Sequence, residues 1–457
     1  MKETIRIASG QGFWGDLPNA PIKQVKNGPI DYLVMDYLAE VTMSIMQKQK
    51  MRNNDYGYAR DFVGVIESVL PEIAEQGIKV VSNAGGVNPL ACKDAILKII
   101  KDEGYKDIKV AVVDGDDILA DMDALIADGH HLENMESGKA VESVKDELLS
   151  ANVYFGSKPI VEALKQDADI VITGRVTDTG LTLGPMIHEF DWSFDDFDKM
   201  AAGTIAGHII ECGAQVSGGN FTDWEKVEDF TDIGFPIIEA KPDGDFFVTK
   251  HENTGGLVSE MTVKEQLLYE IGDPSEYITP DCIADFTTVH LEPAGDNRVR
   301  VYGIEGRPDT PTYKVSASYN DGYKLSSTLV YSWPGALKKA KKAGEILKSR
   351  ADALDLEFDE FRVEYVGLNG ANESPITDEE LKGEHDEIQM RVSVSGPKKE
   401  HLNRFGKEMA PLILTGPSGV TGFAGGRPKA SGVVAYWPAL LDKEAVEPRI
   451  RIFETKN

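Results

Sequence analysis

The sequence predicts an α/β protein: an N-terminal, mainly parallel sheet with helices on both faces, followed by a C-terminal α+β domain with two pseudo-equivalent halves. Three observations carry that expectation. Over roughly the first 230 residues, short apolar runs alternate with amphipathic helical stretches, the pattern of parallel strands joined by crossovers. From about residue 235 strand-like runs cluster instead, separated by turn signals such as Asp243-Gly244 and Asn320-Asp321-Gly322. Two later segments, Ser327–Gly335 and Ile388–Pro397, each run from a strand through a Pro/Gly turn into a basic helix. The expected division is residues 1–232, an α/β domain with a ligand site at its strand ends, and residues 233–457, the α+β domain.

The first strand, residues 4–8, ends in Ser9-Gly10-Gln11-Gly12-Phe13-Trp14-Gly15. This matches G-x-G-x-x-G, and Asp36 follows about 20 residues on, as in dinucleotide-binding folds. Trp14, Pro18 and Pro21 make the segment a loop where that fingerprint needs a helix, so Ser9 and Gly10 are read as a close backbone approach to some other ligand. Tyr32–Met35 is the second strand. Asp36 follows it and Glu40 lies one turn later, which puts both carboxylates at the strand-end edge. The bland alternative for Asp36 is a helix N-cap. A helix over Phe62–Gln76 closes at Gly77. After the strand Ile78–Val81, the turn holding Asn83, Gly85, Gly86 and Asn88 suits an anion, or an ordinary strand–helix connection.

The strand Lys109–Val113 ends in Asp114-Gly115-Asp116-Asp117. Asp114 is a candidate acid or base there, and Asp114 with Asp116 a candidate pair for Mg²⁺ or another divalent metal. An acidic insertion over about 120–150, with His130-His131, reads as a surface lid. A helix from Lys158 returns the chain to Ile170–Ile172, which ends in Thr173-Gly174-Arg175-Val176-Thr177-Asp178. Ligands of open α/β sheets bind beyond the carboxyl ends of strands. Arg175 is therefore read as the binder of a carboxylate or thioester oxygen, with Thr177 beside it and Asp178 orienting it. The alternative is an Arg175–Asp178 pair that only pins the loop. A helix over Asp196–Cys212 then brings Glu211, and the turn beyond it Asn220, as further substrate contacts. Cys212 ends that helix, where the dipole disfavours a thiolate. The glycine-rich stretch Thr415–Pro428 ends in Arg427, which either closes over an anionic ligand or marks a strained junction.

Composition excludes several classes. A net charge of −28 without a basic stripe argues against nucleic acid and anionic membranes. No apolar run approaches the ~18 residues of a membrane span. Three widely spaced cysteines exclude a disulfide scaffold or zinc ribbon and suit a reducing cytoplasm.

Taken together, Ser9–Asp16, Tyr32–Glu40, Ser82–Pro89, Thr173–Thr179, Glu211–Trp224 and Gly425–Pro428 resemble the acyclic terpene utilisation (AtuA) family, in the family's order and over nearly the whole chain. The resemblance implies catabolism of branched or acyclic isoprenoid acids as coenzyme A thioesters. Many members carry a further C-terminal ferredoxin-like domain. The sequence stops at Asn457, so the resemblance implies a separate small ferredoxin-like subunit; a homo-oligomer is also expected. The expected activity is that of a lyase or hydro-lyase acting on a small-molecule carboxylate or acyl-CoA, with Asp36, Glu40 and Asp114 as acid/base groups. The alternative is a non-catalytic ligand-binding subunit of a multi-chain complex, since no nucleophile–base pair, zinc pattern or P-loop is present. Against it, a scaffold has little use for carboxylates gathered at strand ends.

Overall fold

Short apolar runs buried on both sides fold as parallel strands, and five of them form the middle of one ten-stranded mixed sheet. The computed structural model describes residues 2–371, 376–377, 379, 382–422 and 426–454, the Glu40 side chain excepted. Strands β1 (Ile5–Gln11), β2 (Tyr32–Met35), β3 (Lys79–Ser82), β4 (Lys109–Asp114) and β6 (Ile170–Thr173) run parallel in the order β1-β2-β3-β6-β4. The intervening β5 (Leu148–Val153) pairs outside this sheet, with the strand Thr312–Ser332.

Helices cover both faces. On one side lie α1 (Ala20–Lys26), α2 (Glu40–Arg52), α3 (Arg60–Gln76) and α4 (Pro89–Asp102). In α3 the residues Phe62, Val65, Ile66, Val69, Leu70 and Ile73 recur at helical spacing and pack with Leu33 and Met35 of β2. Gly77 ends α3 at φ +67, a left-handed cap that glycine adopts without strain. On the other side, beyond the short α5 (Met122–Ala127), are α6 (Lys158–Leu164), α7 (Gly180–Phe190) and α8 (Phe197–Glu211). Tyr32, alternating with Leu33 along β2, reaches this face and donates to Glu189 of α7 at 2.8 Å.

The mixed α/β class matches the expectation, but the chain divides elsewhere than at 232/233. Its two compact units are residues 1–318 with 436–457, and residues 319–435. Strands Pro236–Ala240, Phe246–Lys250, Val299–Tyr302 and His290–Pro293 add antiparallel to the β1 edge, and Arg449–Glu454 adds antiparallel to β4. The physical reason is that an uncovered strand presents a row of free N–H and C=O groups, which these segments satisfy. The turn signal Asn320-Asp321-Gly322 lies inside the long strand Thr312–Ser332, which continues through Gly322 at φ +76.

The second unit is antiparallel. Its portion of that long strand pairs with Glu387–Gly396, which pairs in turn with Glu360–Val366, and Val420–Thr421 lies on the other side. Helices Ala336–Ala353 and Lys399–Met409 pack on the sheet through Leu337, Leu347, Leu402 and Phe405. This is the split β-α-β arrangement of ferredoxin-like folds.

Helix α8 is buried over Met200–Ile210, apolar there apart from Thr204 and His208. Its glycines let it lie against α7: a Cβ at 207 would stand 2.6 Å from the Thr179 Cα and carbonyl oxygen. Backbone cannot yield as a side chain does. Gly207→Ala is therefore expected to cost about 1–3 kcal/mol, read as a lower urea midpoint with unchanged slope. A wild-type midpoint would show that α7 and α8 have room to spare.

Candidate active site

The loops leaving β2, β3 and β6 converge. Asp36 is buried, and its Oδ1 accepts from Asn83 Nδ2 at 2.7 Å and from the Leu38 amide at 3.0 Å. Asn83 Oδ1 in turn accepts from the Tyr37 amide at 2.7 Å. Arg175, only 2% exposed, donates from Nη1 to the Leu38 carbonyl at 2.8 Å and to Asp178 Oδ1 at 2.9 Å. Its guanidinium carbon lies 4.1 Å from the centre of the Tyr154 ring, a cation–π contact. Its Nε is buried without a hydrogen-bond partner.

Of these groups, Asp36 and Asp178 line a narrow cleft together with Ser9, Gln11, Thr182 and Glu211, while Arg175 and Asn83 stand behind its wall. Glu211 ends α8, and its Oε1 lies 2.9 Å from Nδ1 of the buried His208; its Oε2 is buried with no partner. Burial raises the Asp36 pKa well above the usual carboxylate range, and the Asp178 charge adds to this; Arg175 and Asn83 oppose it. Burial also raises Glu211, with His208 opposing. Burial disfavours the Arg175 cation, but Asp178 and the surrounding groups more than offset this and keep it charged. The cleft thus holds two carboxyls pushed toward protonation beside a salt-bridged Asp178. Cys212 is pushed up to about 12, chiefly by burial, which leaves it a poor nucleophile at neutral pH.

Other expected site residues lie elsewhere. Asp114 borders a separate crevice with Lys50, Gly86, Asn88, Asp116 and Arg449. There it pairs with Arg449 at 2.9 Å and Arg451 at 3.1 Å, cations that enter from the end of the chain. Asp116 is buried, and its Oδ2 accepts from the Arg175 amide and from Asn152 Nδ2. With both carboxylates so engaged the pair makes a poor metal site. Among the described residues no group of three or more His, Cys, Asp or Glu is placed to hold a metal ion.

Most amides of the turn after β3 are engaged within the protein and do not form a row of free donors for an anion. The amides of Gly86, Val87 and Asn88 each donate to a protein carbonyl, and the Asn88 side chain donates to Asn54 and Tyr56 carbonyls. Gly85 is required instead by close packing, since a Cβ there would stand 2.5 Å from the Thr173 carbonyl oxygen. Gly10 is hemmed in by Leu33 and Pro21 in the same way. Thr177 is buried, its hydroxyl 3.3 Å from that of Thr179. Asn220 is exposed at φ +55, a turn conformation that asparagine tolerates. Arg427 is exposed in the second compact unit, and the Glu40 side chain lies outside the described residues. His208 and Gln11 escaped the sequence reading; the visible signal for His208 was a His–Glu pair at i, i+3 in an otherwise apolar helix.

Asp116 supplies a pH test. Burial pushes its pKa up to about 7, with the bonds from Arg175 and Asn152 opposing. The unfolded chain ionises at its ordinary pKa near 4, so between pH ~4 and ~7 the unfolded state binds fewer protons and stability falls as pH rises. Asp116→Asn keeps an oxygen for both donors and should flatten that fall, raising Tm relative to wild type more at pH 8 than at pH 5. At about 1.4 kcal/mol per pKa unit the effect is a few kcal/mol. Parallel Tm–pH curves for the two proteins would exclude Asp116 as its source.

No curated protein and no solved structure matches this chain. A family model does, that of the acyclic terpene utilisation family protein AtuA, over residues 5–452. With a match across nearly its whole length, the chain belongs to the AtuA family, a membership that suggests a role in acyclic terpene utilisation.

Proposed function

We propose that the protein is a lyase or hydro-lyase that adds or removes water beside the carbonyl of a branched carboxylic acid or its coenzyme A thioester. The observation that carries this reading is the pair Asp36 and Glu211 in one cleft. Asp36 has one oxygen held by hydrogen bonds, Glu211 has one oxygen against the His208 ring, and burial raises the pKa of both. Dehydration needs exactly matched proton traffic of this kind: one proton leaves the carbon beside the carbonyl, and another joins the departing hydroxyl. The C–H electron pair becomes the new C=C bond, its proton passes to a carboxylate of the cleft, and the hydroxyl leaves as water with the Asp36 proton. Hydration is the reverse. A subunit that only held a ligand would gain nothing from burying two carboxyls whose pKa values are raised.

The Arg175 Nε donor, which has no hydrogen-bond partner among the described residues, is assigned to the substrate's carboxylate or thioester oxygen, with Asp178 holding the guanidinium fork. The free space in the cleft, about 10 Å³, is far below the ~300–1,000 Å³ of sites that enclose a drug-sized ligand. The lining side chains must therefore part to admit even a small acid, or the acyl end alone of a thioester, the substrates we assign. The three free thiols are consistent with a reducing compartment, and we place the enzyme in the cytoplasm.

The reaction is tested by following hydroxy acids, unsaturated acids and their coenzyme A thioesters in D₂O by NMR. Asp36→Asn should lose about 10²–10⁴-fold in rate while keeping the rise in Tm that ligand gives the wild type. If no compound gains or loses water, the reaction class is wrong; if Asp36→Asn works like wild type, the acid is another group. Arg175→Lys keeps the charge but not the fork. It should lose roughly 30-fold to several thousand-fold in kcat/KM, corresponding to about 2–5 kcal/mol, and Asp178→Asn should lose less. The opposite ranking in folded variants would refute the assignment.

A further inference from the structure

His208 lies inside α8 and plays no part in the chemistry assigned so far. Its side chain is only 2% exposed, yet both ring nitrogens have polar neighbours. Nδ1 is 2.9 Å from Glu211 Oε1, a charge contact that falls outside hydrogen-bond geometry, and Nε2 is 2.9 Å from the Gln266 carbonyl oxygen. Gln266, on α9 (Glu260–Leu268), donates its side-chain amide back to the His208 carbonyl at 3.0 Å. The Tyr277 and Phe286 rings pack on the imidazole with centroids 5.6 and 5.2 Å away. A carbonyl can only accept, so Nε2 carries a proton and the ring is fixed in place. Nδ1 then faces a carboxylate whose other oxygen, Oε2, is buried without a partner in a residue that lines the cleft.

We infer that His208 is a positioning residue: as an imidazolium it holds Glu211 ionised and oriented, so that Glu211 Oε2 is the atom that takes the proton from the substrate carbon. The inference rests on the hydro-lyase reading and completes its proton balance. The C–H proton goes to Glu211 Oε2, Asp36 gives its own proton to the leaving hydroxyl, and His208 keeps its proton throughout. An imidazole in water would be mostly neutral at pH 7. Here burial works against the cation, and the Glu211 carboxylate and Gln266 carbonyl more than offset it. Glu270, just beyond α9, favours the cation as well. Around Glu211 stand His208 on its own helix, Asp178 from the loop before α7, and Glu270. Both acidic neighbours oppose its ionisation, so the histidine is the group that keeps a carboxylate here.

Two measurements separate this inference from the reading beneath it. The first needs no substrate. Titration of the eight histidines by side-chain NMR, with His208 assigned by its loss in His208→Gln, should show a His208 midpoint above 6.5. In Glu211→Gln, which keeps the shape of the side chain, its midpoint should fall below 6.5, because the buried cation has lost its partner. A wild-type midpoint at or below 6.5, or one unmoved by Glu211→Gln, overturns the pair. The second measurement is solvent-deuterium exchange at the carbon beside the carbonyl, using the same acids and thioesters. Glu211→Gln should lose at least about 100-fold in exchange rate. His208→Gln, or His208→Asn if the first fails to fold, should move the acid limb of the rate to higher pH, whereas a merely structural histidine would lower the rate without moving that limb. Exchange that survives Glu211→Gln overturns the assigned acceptor. Absence of exchange in the wild type overturns the hydro-lyase reading, and Glu211's role with it, while the titration still decides the pair.

Discussion

The strand-end architecture depends on a guanidinium taken out of water. Arg175 heads the fully buried side chains by size, and a buried cation costs several kcal/mol unless nearly every donor or face finds a partner. Its partners come from separate parts of the chain: the Leu38 carbonyl after β2, Asp178 in its own loop and the Tyr154 ring after β5. Its backbone amide bonds Asp116, after β4. One residue therefore ties together loops that are distant in sequence. Loss of any one partner would leave charge buried without compensation, which fixes these loops more firmly than apolar contact alone.

That fixity has a chemical consequence. A carboxyl keeps a raised pKa only while water is kept from it, and loops free to open would let water reach Asp36. The near contact of Gly207 with Thr179 serves the same end from the other side, by letting α8 carry Glu211 up against the loop that holds Asp178. Small residues in a helix are usually read as weak propensity. Here they set the width of a cleft.

Much of the first unit's core was legible because its signals are local. Apolar runs bounded by polar residues placed β2 and β6, and Gly77 marked the end of α3. The same logic picked out Asp36, Asn83, Arg175, Asp178 and Glu211, which the fold brings near one another, since each follows a strand or ends a helix on one edge. It failed for Asp114, which also ends a strand, because its arginine partners lie more than 300 residues away in sequence. The division at 232/233 failed for a like reason: edge pairing between β4 and Arg449–Glu454 is a long-range fact that no local pattern announces. Gly85 looked like a cradle for an anion, but steric limits set by the Thr173 carbonyl require a glycine there whether or not an anion binds. His208 was hidden by its setting, since a polar residue in an apolar helix looks like a core residue until its neighbours are known.

The electrostatics of the cleft resolve an apparent conflict. A chain with net charge −28 that gathers Asp36, Asp178 and Glu211 in one place should repel an acidic ligand. Each of the three is locally offset: Asp178 by the Arg175 cation, Glu211 by His208, and Asp36 by burial that favours its neutral form. Charges on the distant surface are screened over roughly 10 Å at physiological salt, so an anion within the cleft responds mainly to these neighbours. With both pairs formed and Asp36 protonated, the three carboxyls and two cations sum to zero. Removing either cation would leave an unbalanced carboxylate in a buried space. An acidic substrate can therefore approach, while the proton inventory that its chemistry requires stays in place.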